Sequence, residues 1–248
     1  DWSSDVCSSD LGTTYTNTTD AAGVISGGGV GTNLTAYALR PNPAHIQRGT
    51  NFINFADFMA AATNLQAADV LWLYGTNYQS DNLVLPERVA VKAYAPGAAI
   101  QSTNNYLMVT NYNLIEGVTF LSPVTNYVAE ESFTKTNTTI TTFGNSDAVG
   151  LRFVQCRFLA PKFGIHFAGD STNNYRWDVD IDGCEFDNIL GGVRFIYASS
   201  NSTIRIRNST FRTVAQPING IATLCALRLN VGTNWLENVD RKSTRLNS

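Results

Sequence analysis

One pattern is written four times in this chain, and it constrains the fold more than any other feature. Leu151-Arg-Phe-Val-Gln-Cys-Arg-Phe158, Val179-Asp-Ile-Asp-Gly-Cys-Glu-Phe186 and Ile204-Arg-Ile-Arg-Asn-Ser-Thr-Phe211 run in step. Leu114-Ile-Glu-Gly-Val-Thr-Phe120 is a copy one residue shorter at its front. Each copy alternates apolar and polar residues, the period of a half-buried strand. The alternation breaks at Gly117, Gln155, Gly183 and Asn208, where glycine and asparagine suit a sharp bend at positive φ. A small inward residue follows (Val118, Cys156, Cys184, Ser209), then an outward one, then an inward phenylalanine.

The phenylalanines recur at intervals of 38, 28 and 25 residues, within the range of a solenoid or array. A second strand follows in phase, at Gly164-Ile-His-Phe167, Gly192-Val-Arg-Phe195 and Gly220-Ile-Ala-Thr223. Short strands with no helix between them predict an all-β chain folded as a single-stranded parallel β-helix. Aligned on phenylalanine, Arg152, Asp180 and Arg205 form one outward column. Arg157 meets Glu185, Asp182 meets Arg207, and Asp187 meets Arg212. Alternating charge on neighbouring strands is what an in-register stack favours.

The two ends carry a different signature. Residues 1–11 can be encoded by a DNA string whose reverse complement, read in another frame, gives residues 240–248. Both are expected to be translated sequencing-adapter DNA and are set aside as fusion scars are. The expected organisation is 12–50 as a Gly/Thr/Asn-rich linker or stalk and 51–239 as the β-helix, incomplete at its C-terminal end. Without the two ends the net charge is about −2, too little basic charge for a nucleic-acid partner. No apolar run is long enough to span a membrane. Cys156 and Cys184 share a rung position, so the choice is between an intercoil disulfide and two buried thiols, the second being expected. No Cys-x-x-Cys pair exists and His45 lies far in sequence from His166, which argues against zinc.

Residues 55–68 have helical spacing at Phe55, Phe58, Met59, Ala62 and Leu65. A strand, Asp69-Val-Leu-Trp-Leu-Tyr74, comes next. It is followed by Asn82-Leu-Val-Leu-Pro-Glu-Arg-Val-Ala-Val-Lys-Ala-Tyr-Ala-Pro-Gly-Ala-Ala-Ile100. This order resembles the start of the pectate-lyase-like superfamily of right-handed β-helix proteins, across most of residues 55–224. The resemblance implies a short helix capping the open end and covering a sheet edge. The segment 21–36, with its Gly-Gly-Gly-Val-Gly-Thr-Asn-Leu core, resembles repeats of phage tail-fibre stalks and bacterial surface fibres; a flexible linker is the competing reading. Those fibres are often trimers, so the second resemblance implies a virion, cell-surface or extracellular setting and a homotrimer.

Asp178, Asp180 and Asp182 alternate with Val179 and Ile181 and face outward, their Cα atoms roughly 6.5–7 Å apart. With Glu185 they are the candidate acids for glycoside cleavage, and the three aspartates are the candidate calcium ligands. Arginines beside Asp180 and Asp182 make a structural ion-pair ladder the favoured reading, and Asp178 stands without a visible partner. His166 and Arg194 share an outward position beneath the long excursion 122–147, where they can bind an acidic sugar or form a polar surface column. Tyr106, Tyr127, Tyr175 and Trp177 are candidate sugar-stacking rings, and Glu130 and Glu131 candidate loop contacts. The superfamily's polygalacturonase-like and pectate-lyase catalytic motifs are absent, so no catalytic residue carries over. The expectation is a surface module that binds polysaccharide without an assigned cofactor. A polysaccharide lyase or glycoside hydrolase is the alternative, and a structural fibre spacer the second.

Overall fold

A computed structural model describes residues 44–55, 57–122, 138–143, 146–159, 163–168, 174–187, 191–196, 198–212, 227–229 and 233–241. The chain enters as an antiparallel hairpin, β1 (Ala44–Arg48) and β2 (Asn51–Phe55), followed by one helix, α1 (Phe58–Thr63). It then winds in coils of three strands. The first coil is β3 (Val70–Leu73), β4 (Thr76–Tyr78) and β5 (Leu83–Val84). The second is β6 (Ala90–Ala93), β7 (Ala99–Gln101) and β8 (Leu107–Val109). The third is β9 (Leu114–Glu116), β10 (Thr119–Leu121) and β11 (Thr138–Thr142). The fourth is β12 (Ala148–Val154), β13 (Arg157–Leu159) and β14 (Phe163–Ala168). The fifth is β15 (Trp177–Asp182), β16 (Glu185–Asp187) and β17 (Gly191–Ile196). The sixth is β18 (Thr203–Arg207), β19 (Thr210–Phe211) and β20 (Leu227–Leu229), with β21 (Thr233–Glu237) and β22 (Asp240–Arg241) after it.

Like strands of successive coils pair in parallel, giving three sheets that enclose one core: a parallel β-helix. The first sheet holds β3, β6, β9, β12, β15, β18 and β21, extended at its N-terminal edge by β1 and β2. Its inner column runs Leu71, Val91, Ile115, Phe153, Ile181, Ile206 in strict register. The second sheet stacks Ile100, Phe120, Phe158, Phe186 and Phe211. Its rings lie nearly parallel, with centroids 5.0, 4.7 and 4.7 Å apart. Such pairs add about 0.5–1.5 kcal/mol each beyond the area they bury.

The bend positions behave as their residue types require: Gly117, Gln155, Gly183 and Asn208 have φ of 71, 51, 64 and 49°. Cys156 and Cys184 behind them are buried free thiols whose sulfurs donate to backbone carbonyls, Cys156 to Ile115 and Cys184 to Phe153. Gly164 is needed for a different reason. A Cβ there would lie 2.7 Å from the Gly192 carbonyl and 2.9 Å from the Phe186 ring, so only glycine lets the third sheet close over the phenylalanine stack.

Several expectations need correction. The helix spans Phe58–Thr63, shorter than 55–68. Phe55 belongs to β2, Asp57 caps the helix by accepting the Ala60 N–H at 2.7 Å, and Ala68 takes φ 67° to start the first coil. The hairpin, in addition to the helix, covers β3, and β1 lies inside the segment 12–50 expected to be linker or stalk. Residues 12–43 lie outside the described residues. The strand continuing β17 is Leu227–Leu229, with Val193 opposite Leu227, six residues beyond Ile221, the position that the Gly220 spacing gives. At the other end, Asp240 and Arg241 continue the second sheet's pairing with Thr210 and Phe211.

Candidate functional site

The carboxylates favoured by the sequence are all bound to arginine. Arg152, Asp180 and Arg205 do share a column, yet Asp180 makes its ion pair diagonally with Arg207 at 3.0 Å, and Asp182 pairs with the same guanidinium at 3.3 Å. Asp178 is partnered, contrary to expectation. It meets Arg176 at 2.6 Å and accepts the Thr203 N–H at 3.1 Å. Glu185 bridges Arg157 at 2.9 Å and Arg212 at 3.2 Å, so Arg212 goes to Glu185 and Asp187 is left out. The longer reach of arginine lets it choose the diagonal neighbour over the one directly opposite. Asp178, Asp180 and Asp182 therefore do not converge on a calcium position, and no three metal-ligating residues cluster among the described residues.

His166 and Arg194 are register partners on β14 and β17, as the repeat requires. Both are buried, however, and form no exposed column. Phe163 lies against them, 5.4 Å from the Arg194 guanidinium, and the Thr138 hydroxyl is 3.5 Å from His166 Nδ1. Burial, and then the charge of Arg194, push His166 well below the ordinary histidine range. Trp177 is fully buried, not a surface ring. It faces inward with Val179 and Ile181, packs edge-on against Phe167, and donates Nε1–H to the Ser146 carbonyl at 3.2 Å. Tyr175 and Tyr106 are half-buried, Tyr175 against the core. Tyr127, Glu130 and Glu131 lie outside the described residues.

A group of neighbouring rings lies elsewhere, on the outer face of the first sheet over the first two coils. In β3, Leu71 and Leu73 point inward, so Trp72 and Tyr74 face out. Tyr94, just past β6, joins them. Its ring centroid is 6.1 Å from Trp72, edge-on, and 6.3 Å from Tyr74, tilted by 33°. Tyr74 and Tyr94 are 38% and 43% exposed. Trp72 is fixed by Nε1 donating to Gln47 Oε1 at 3.0 Å and by the Lys92 ammonium 5.9 Å over its ring. Lys92 also pairs with Glu116 at 2.8 Å. His45 stands opposite Trp72 in the hairpin and donates Nδ1–H to Asn54 Oδ1 at 2.6 Å. Burial lowers its pKa, opposed by that hydrogen bond.

Flat aromatic faces beside hydrogen-bonding and charged groups bind ligands with one apolar side and a polar rim, as sugar rings have. Sequence reasoning passed over this group. The available signal was the alternation of Val-Leu-Trp-Leu-Tyr, which puts Trp72 and Tyr74 on the polar side of an otherwise regular strand.

No family model matches the chain, and neither the curated proteins nor the solved structures give a match.

Proposed function

We propose that this protein is an extracellular or virion-surface β-helix module that binds polysaccharide through the outer face of its first coils. One observation carries the reading: the exposed Tyr74 and Tyr94 beside the half-buried Trp72, which Gln47 and Lys92 hold in place on the sheet. Rings fixed before binding lose little entropy when a ligand lands on them. The stalk-like 21–36 segment supports a surface location, and the order of helix, first strand and Asn-Leu-Val-Leu-Pro segment supports kinship with the pectate-lyase-like superfamily.

Lyase or hydrolase chemistry draws less support. The acids that would carry it, Asp178, Asp180, Asp182 and Glu185, are each engaged by arginine, and a carboxyl group must be within hydrogen-bond reach of the glycosidic oxygen to act on it.

The test is a glycan array followed by calorimetry with the full chain. Binding to at least one polysaccharide class is expected, lost in Tyr74→Ala/Tyr94→Ala and kept in Asp178→Asn. Binding that survives the tyrosine double variant would move the site away from this face. Release of reducing ends that is lost in Asp178→Asn would replace the reading with the enzymatic one.

A further inference from the structure

A corner of the β-helix carries side chains that its backbone disfavours. Ala68, Arg88, Tyr112 and Gly150 occupy one position in four successive coils, with φ of 67, 61, 59 and 68°. The Arg88 N–H donates to the Asn111 carbonyl and the Tyr112 N–H to the Val149 carbonyl, stitching the column together. Glycine is the residue at ease in this conformation, and Gly150 supplies it; arginine and tyrosine are strained there.

The side chains are placed with care. A Cβ on Gly150 would collide with the Tyr112 ring, so the ring rests against the glycine of the next coil. On the preceding coil, the Arg88 guanidinium sits over the same ring, 5.6 Å from its centroid. Tyr112 is 53% exposed and Arg88 is exposed. The adjacent acid, Glu87, is engaged by Asn111, whose Nδ2 donates to it at 2.8 Å. Among the described residues, Arg88 enters none of the ion pairs. Arg152 and Arg205 are also outside those pairs, but neither is seated on a ring.

We propose that this corner is an anion subsite: Arg88, fixed by Tyr112 and Gly150, receives a carboxylate or sulfate borne by a sugar of the glycan that stacks on Trp72, Tyr74 and Tyr94. The inference rests on the glycan-binding reading above. Strand β6 leads from Arg88 to Tyr94, a span of roughly 20 Å along the sheet, so one glycan of several sugars reaches both. The planar guanidinium presents a fork of N–H donors that matches either anion, and seating it on an aromatic face settles its orientation before the ligand arrives.

The experiment compares affinities of the full chain for uronic-acid oligosaccharides, sulfated oligosaccharides and neutral oligosaccharides of equal length. The wild type is expected to prefer at least one anionic series, with a preference that weakens as salt rises. Arg88→Gln should reduce the anionic-to-neutral ratio by about tenfold or more. Arg88→Gly should reduce it equally while raising the Tm, because glycine relieves the φ of 61°; this separates loss of recognition from loss of fold. Arg152→Gln is the control and should leave the ratio unchanged. Equal affinity of the wild type for anionic and neutral ligands overturns the subsite and leaves the binding reading standing, as does an anionic preference that survives Arg88→Gln. No binding of any series overturns both.

Discussion

The two halves of the first sheet share one interior and differ on the outside. Inside, Leu71, Val91 and Ile115 continue into Phe153, Ile181 and Ile206 without a break. Outside, the first three coils show Val70, Ala90 and Leu114 in one column, Trp72, Lys92 and Glu116 in the next, and Tyr74 and Tyr94 at the end. From the fourth coil on, the same columns carry Arg152, Asp180, Arg205 and the exposed Trp235, and Val154, Asp182, Arg207 and Glu237. The acids of this face are taken up by Arg176 and Arg207, and such a pair must be broken before either partner can serve a ligand. An aromatic face beside a preorganised arginine offers surface that costs little to desolvate. The fold sets the inward residues; the outward ones divide the sheet into a half whose aspartates are paired off and a more open half that carries the Trp72, Tyr74 and Tyr94 group.

The largest effect should come from the interior common to both halves. Phe186→Ala removes a ring stacked on two others and is expected to cost about 3–5 kcal/mol in urea denaturation, abolishing ligand binding along with the fold. If it costs under about 1 kcal/mol, the stack is not a shared support. Next comes the contrast in binding. Tyr94→Ala should weaken glycan affinity about tenfold, near 1.4 kcal/mol, with a stability change within about 0.5 kcal/mol. Asp182→Asn, on the charged half, should leave affinity unchanged; the reverse pattern in calorimetry would exchange the roles of the halves.

The third prediction concerns the buried anchor of the open half. Burial pushes the Asp69 carboxyl up. The hydrogen bonds from Arg48 and the Gln66 N–H, with the Arg48 charge, outweigh this and hold its pKa below the ordinary range. The stability this gives is present above about pH 4, the unfolded carboxylate value, and is lost as pH falls through the lower folded value. Asp69→Asn should therefore lower the Tm at pH 7, and the gap to wild type should narrow in acid. A gap that widens in acid would show that the pair is not what anchors β1. Smallest is the exposed ladder. Arg207→Gln should lower the Tm slightly, and 1 M salt, with its Debye length of about 3 Å, should erase most of the difference.

Coil order, register, bends and the phenylalanine stack were legible because period-two alternation and a repeated left-handed position are local signals. The same alternation implies the burial of Trp177: with Val179 and Ile181 facing inward, Trp177 must face inward too. Partner choice among arginines was not legible, since a long side chain reaches diagonally and register names only the residue opposite. His166 and Arg194 were placed in the right column, but burial depends on what covers a sheet, and strand periodicity carries no record of that. Helix spacing found α1 and missed its ends, which the demands of β2 and the first corner decide.

The bends at Gly117, Gln155, Gly183 and Asn208 have a consequence for how such a chain can change over time. Each resets the path at one residue, so the phenylalanine that follows lands on its neighbour regardless of how much chain lies between. The intervals of 38, 28 and 25 residues end in rings that superpose equally well. A segment joining two sheets can therefore lengthen, shorten or be exchanged without the alteration spreading to the next coil. The scaffold is inherited coil by coil, while the surface that meets a partner is free to be rewritten one connection at a time.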